Sequence, residues 1–194
     1  TDGVLGGARG IPLGQDYGAV TVPKSAALDG LVPEFTVSGW VRPYTIAQNW
    51  HFLLGRKSSG PYKSWGLQPR GSSGSLDKIG VYTDGTADND NNRAVFTTTG
   101  KFTANEWTKY AVVYTETAAA LYLDGIPVAT NAVKPGAAVN GDLDFTIGGL
   151  TKSSDASMGA DHDEVRLRKG SVSADWVANE YAIEKGTLVI DYGP

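Results

Sequence analysis

NEWTKYAVVYTETAAALYLDGIPVATN, residues 105–131, reads as three strands joined by two tight turns. In the first run, Trp107 to Thr115, the residues Tyr110, Val112 and Tyr114 recur at period two, and Ala111 and Val113 make the other face apolar as well. A strand with two apolar faces belongs in the middle of a layered β fold. Thr115-Glu116-Thr117 is the first turn. The second run, Ala119 to Leu123, sets Leu121 and Leu123 against Tyr122 and stops at Asp124-Gly125. That dipeptide favours a type I′ hairpin turn, because both central residues need positive φ. The return strand is Ile126 to Thr130. Pro127 has no N–H to donate, so this strand is expected to lie at a sheet edge or to turn that side away from a partner.

The pattern continues outward in both directions. Phe35 to Arg42 alternates, with Phe35, Val37 and Val41 on one face and Thr36, Ser38, Trp40 and Arg42 on the other; Pro43 ends it. Shorter runs are read as strands at Ala19 to Val22, Lys78 to Thr83, Ala94 to Thr98, Leu143 to Ile147 and Glu164 to Leu167, and faintly at Val4 to Ile11. His51 to Lys57 and Ser64 to Gln68 form an expected hairpin about Ser58-Ser59-Gly60-Pro61. Ser25 to Leu31 is a helical turn or a loop, and Pro135 to Gly141 a loop. One helix is expected, Ala174 to Ala182, capped by Ser173, with Asp175 at the positive end of its dipole and Gly186 placed to end it. Thr187 to Tyr192 is the last expected strand. The count predicts an all-β chain: a two-sheet antiparallel β-sandwich with one short C-terminal helix.

Composition bounds the function. The 194 residues suit a single domain over 1–194 with its own core. Twenty-five Gly, nine Tyr and five Trp fit many strands and many turns. The formal net charge of -4, with acids and bases interspersed, argues against a nucleic-acid partner. No cysteine is present, so disulfides and thiolate metal sites are excluded. No apolar run is long enough to insert in a membrane. The first residue is Thr1, and the expectation is a domain excised from a longer multidomain protein, monomeric within that chain.

The segments FTVSGWVRP (35–43), NEWTKYAVVY (105–114), ALYLDGIPVA (120–129), FTIGG (145–149) and DEVRLRKGSVSADWVANEY (163–181) follow in order. Together they resemble the bacterial form of the laminin-G-like family of concanavalin A-like jelly rolls. The resemblance implies two curved antiparallel sheets and an exported, extracellular or cell-surface protein. It leaves function open between a non-catalytic glycan-binding module, a structural spacer and a protein-adhesion module, so the expected partner is a glycan or a surface protein. A glycoside hydrolase is disfavoured: concanavalin A-like glycosidases carry two Glu flanking an Asp on one strand, and no Glu-x-Asp-x-Glu occurs here.

Asp161, Asp163 and Glu164 are the densest acid cluster, and Asp161 and Asp163 face the same way on a strand. Hard cations take several oxygen ligands. The resemblance implies a structural calcium ion, with Asp163 as leading ligand, Asp161 beside it and Asp16 from the N-terminal segment. The alternative pairs these acids with Arg166 or Arg168, or makes them turn caps. The loop Asp84 to Arg93 has alternating Asp88, Asp90 and Asn92, but Arg93 stands where an EF-hand needs Gly. Trp50, His51, Tyr62 and Trp65 lie in or beside expected loops. Exposed aromatic faces there would stack on sugar rings, and buried ones would close the ends of the core. Trp40, Trp107 and Trp176 are assigned to the core. His51 and His162 with no Cys do not make a zinc site, and neither a nucleophile elbow nor a phosphate-cradling glycine loop is found.

Overall fold

The computed structural model describes residues 2–12, 20–45, 52–56, 65–72, 75–82, 93–97, 102–132, 143–149 and 158–187. Their elements run β1 (Arg9–Ile11), β2 (Val20–Val22), α1 (Ala26–Asp29), β3 (Phe35–Pro43), β4 (Leu54–Gly55), β5 (Gly66–Ser72), β6 (Ser75–Tyr82), β7 (Arg93–Thr97), β8 (Thr108–Tyr114), β9 (Ala118–Leu123), β10 (Ile126–Ala132), β11 (Phe145–Ile147), β12 (Ala160–Lys169) and α2 (Ala174–Glu184). Two antiparallel sheets result, in the orders β1-β12-β3-β8-β9-β10 and β2-β11-β4-β5-β6-β7. The sandwich expected from alternation is what forms. The helix extends to Glu184, two residues past its expected end.

The opening stretch behaves as its pattern requires. Every residue of β8 is buried, between β3 and β9. Asp124 and Gly125 have φ of 48° and 78°, as a type I′ turn demands. Strand β10, with Pro127, is the edge of its sheet. The expected hairpin pairs Leu54 with Leu67 and Gly55 with Gly66. The expected strand 187–192 falls outside the described residues except for Thr187, as do the loop 135–141 and all of the loop 84–93 but Arg93.

The core lies between the sheets. Phe35, Val37 and Val41 of β3, Tyr110, Val112 and Tyr114 of β8 and Leu121 of β9 meet Leu54, Trp65, Leu67 and Phe145. Phe35 stacks on Tyr114 with centroids 4.4 Å apart. Gly39 interrupts β3 because the Tyr110 hydroxyl crosses it: a Cβ there would lie 2.6 Å from that oxygen. On the outer face of the first sheet, Ala111, Val113 and Tyr122 pack under Val177 of α2, which makes a third layer. Trp40 is fully buried, yet it lies under α2, its ring 5.7 Å from that of Tyr181.

Strand β12 changes phase part way. Asp161 pairs with Arg42 and Asp163 with Trp40, but Arg166, not Val165, pairs with Ser38. The extra residue is accommodated at Glu164, whose φ is 50°. Asp161, Asp163, Arg166 and Arg168 therefore share the outer face.

Candidate binding site at the sheet rim

The end of β3 and the start of β12 meet at one rim. Register pairs Arg42 with Asp161 across the ladder, on the outer face. Arg42 Nε donates to Asp161 Oδ2 at 2.8 Å, and Nη2 lies 2.7 Å from the same oxygen. Tyr44 is placed by its backbone N–H, which donates to the Gly159 carbonyl at 2.9 Å. Its hydroxyl donates to Asp161 Oδ1 at 2.7 Å. Burial and this bond to a carboxylate push the phenol up to about 12, so it stays a donor at any physiological pH. Asn105, at φ 63°, donates its N–H to the Pro43 carbonyl at 2.7 Å and so fastens the loop that carries Trp107. The Arg42 guanidinium sits 5.1 Å from the Trp107 ring centroid.

The result is a platform built on one buried acid. Asp161 is 1% exposed, whereas Tyr44 is 41% exposed and the Arg42 side chain 30%. An exposed phenol ring, an oriented guanidinium and a half-buried indole stand together. Such a set can stack on an apolar ring face and bond to hydroxyls.

The expected site residues fare differently. Trp65 is fully buried, with centroids 4.6 Å from Phe35 and 5.8 Å from Phe145. Its expected part in ligand contact is corrected: it presents no face to solvent, because the interlayer core needs an aromatic there. Trp50, His51, Tyr62 and Asp16 lie outside the described residues. Asp161 and Asp163 do share a face, as expected. Asp161 carries a guanidinium and a phenol on its two oxygens, and its ion pair is with Arg42, not Arg166 or Arg168. Asp163 Oδ2 accepts from the N–H groups of Val4 and Leu5, at 2.8 and 3.1 Å. Those donors stand where a cation would approach that oxygen. Among the described residues no three acidic or histidine side chains come together to hold a metal ion. These residues alone do not fit a calcium ion, which asks for six to eight oxygens. Glu164 pairs with Arg166.

His162 points the other way, into the core side, where it is 4% exposed and neither ring nitrogen has a hydrogen-bond partner among the described residues. Arg42 and Tyr44 are not singled out by the sequence as site residues, and Trp107, assigned there to the core, is half-buried at this rim. Arg42 was visible as the last outward residue of an alternating run, but which acid it faces depends on strand pairing.

Comparison with curated proteins finds no match. Among solved structures, domain 4 of AbnA, a GH43 extracellular arabinanase from Geobacillus stearothermophilus, in complex with arabinotriose, is similar at a TM-score of 0.68 and 21% identity, over 92% of this chain and 78% of that one. The binding domain of Paraclostridial Mosquitocidal Protein 1 has a TM-score of 0.68 and 10% identity, over 94% of this chain and 45% of that one. A Trypanosoma rangeli sialidase has a TM-score of 0.60 and 16% identity, over 88% and 26%. At these identities the likeness is one of fold. Among the described residues no helix is long and apolar enough to cross a membrane. The family model described as the Concanavalin A-like lectin/glucanases superfamily, in its laminin G form, matches residues 13–178, and the chain belongs to that superfamily.

Proposed function

We propose that this domain is a non-catalytic glycan-binding module of an extracellular or cell-surface protein, and that the rim of Arg42, Tyr44 and Trp107 receives the sugar. The observation that carries the reading is Asp161, which holds a guanidinium and a phenol in fixed positions at the surface. A preorganised guanidinium donor and a phenol oxygen free to accept, beside an exposed ring, cost little to order when a ligand arrives. The arabinotriose-bound relative of the same fold supports the class of ligand. Trp50 and His51 are kept as candidates for sugar contact. Tyr62 is kept as a further candidate for sugar stacking.

Catalysis has little to work with at this rim. Asp161 is bound by a cation, and Asp163 is committed to two backbone N–H groups, so neither is free to serve as acid or nucleophile.

A glycan array in calcium and in excess chelator, followed by titration with arabinotriose as a first soluble probe, tests the reading. Binding that Arg42→Ala and Tyr44→Ala each weaken, with melting temperature held, is expected. An array with no positive glycan assigns the domain to a spacer or protein-adhesion role instead. Release of reducing sugar from any bound polysaccharide, abolished by Glu164→Gln, overturns the non-catalytic reading.

A further inference from the structure

A second recess lies away from the rim, between β12 and α2. It has a volume of about 510 Å³ and is lined by Thr36 and Ser38 of β3, Arg166, Leu167 and Arg168 of β12, and Trp176 and Glu180 of α2. That volume lies within the range of small-ligand sites.

Three features give it chemistry. Ser38 is 2% exposed and lines the recess, where its hydroxyl can donate and accept. Thr36 Oγ1 donates to the Gly170 carbonyl at 3.1 Å and keeps its lone pairs for a second bond. Arg168 stands with its guanidinium 5.1 Å from the Trp176 ring centroid, and no carboxylate lies within ion-pair distance of it among the described residues.

Arg166, two residues earlier, is the contrast. Its guanidinium is taken up by Glu164, Glu180 and Glu184, with the Glu180 contact at 2.9 Å. Glu180 is further held by Lys109 at 3.4 Å. The acid that lines the recess is thus already neutralised, and the unspent charge is that of Arg168. Stacking on the indole orients its planar fork, the geometry that meets a carboxylate with two parallel hydrogen bonds.

We propose that this recess is a second glycan site, independent of the rim, that takes a sugar ring bearing a carboxylate. Arg168 binds the carboxylate, the Ser38 and Thr36 hydroxyls bond to ring hydroxyls, and the edge of Trp176 covers the C–H face.

The test is calorimetric titration of the whole 194-residue protein with a galacturonate tetrasaccharide, its methyl ester and a sialyl trisaccharide. The five tryptophans give indole N–H signals, and that of Trp176 is identified by its loss in Trp176→Phe. At least one acidic sugar is expected to bind and shift this signal, while the methyl ester does not. Arg168→Ala should weaken binding about tenfold or more. Arg168→Lys should fall between, and Arg42→Ala should change it less than twofold. Binding by neither acid, equal binding of the ester, or loss through Arg42→Ala with Arg168→Ala unaffected overturns the proposal. So does equal competition by tetraglutamate, which would make the recess a peptide site. Neutral-glycan binding lost only in Arg42→Ala reports on the rim alone, so the two sites fail separately.

Discussion

Lys109 Nζ and Glu184 Oε2 stand 2.6 Å apart beneath α2, with their side chains 1% and 4% exposed. The same carboxylate oxygen accepts from Trp40 Nε1 at 2.6 Å, and the other oxygen meets Arg166. One acid near the end of α2 thus ties the helix to β3, β8 and β12 together. Removing one partner of a buried pair leaves the other uncompensated. Glu184→Ala is expected to cost about 3–5 kcal/mol in urea unfolding. The double variant Lys109→Met, Glu184→Leu should recover most of that, and a double variant as unstable as the single one would show that the charge was not the cause. Burial pushes the Glu184 carboxyl up, but the bonds from Lys109, Trp40 and Arg166 prevail and hold it below the usual range. Its contribution is present above the ordinary glutamate value and is lost as pH falls through the lowered one.

His162 supplies an earlier acid limb. Burial pushes its imidazole down from 6.5 to about 4, against a smaller upward pull from Asp161. The unfolded chain takes up the proton below 6.5, while the folded one resists it to about 4. Stability is therefore full above that window and declines across it, by at most about 3 kcal/mol. Urea midpoints measured between pH 7 and pH 4 should lose most of this slope in His162→Leu. An unchanged slope would assign the limb to other groups.

Asp163 anchors the N-terminal turn through amide hydrogen bonds. A Cβ at Gly3 would lie 2.5 Å from its Oδ2, so Gly3→Ala should displace the turn. Asp163→Ala leaves two N–H groups without their acceptor and should cost about 1–3 kcal/mol. Because the described donors do not compose a calcium set, melting in millimolar calcium and in excess chelator should give the same midpoint. A calcium-dependent rise that Asp163→Ala removes would place an ion here after all.

Trp65 and Tyr44 should separate stability from binding. Trp65→Ala empties a fully buried aromatic site and should cost about 3–5 kcal/mol. Tyr44→Ala, at a residue 41% exposed, should change stability far less and weaken glycan binding. If Tyr44→Ala binds as the native protein does, the ring is not part of the sugar contact.

Local pattern made the strands readable, since alternation, Asp124-Gly125 and Pro127 each act over a few residues. Nothing local says which strand lies beside which. Asp161 and Arg42 are far apart in the chain, so their pairing was hidden, and Lys109 and Trp40 looked like ordinary members of alternating runs. Trp65 reads alike as core or as loop aromatic until β4 and β5 pair around it. The acids at Asp161 and Asp163 were legible as a face, but their partners were backbone N–H groups and an arginine from other elements.

The phase slip at Glu164 separates two kinds of sequence change. Substitutions along β12 alter one contact each. Loss of the single residue at 164 would instead reverse inside and outside for one half of the strand, sending either Arg166 and Arg168 or Asp161 and Asp163 towards the apolar layer. Across a lineage, this strand can drift in identity while its length stays fixed, and the surface loops are left to absorb insertions and deletions.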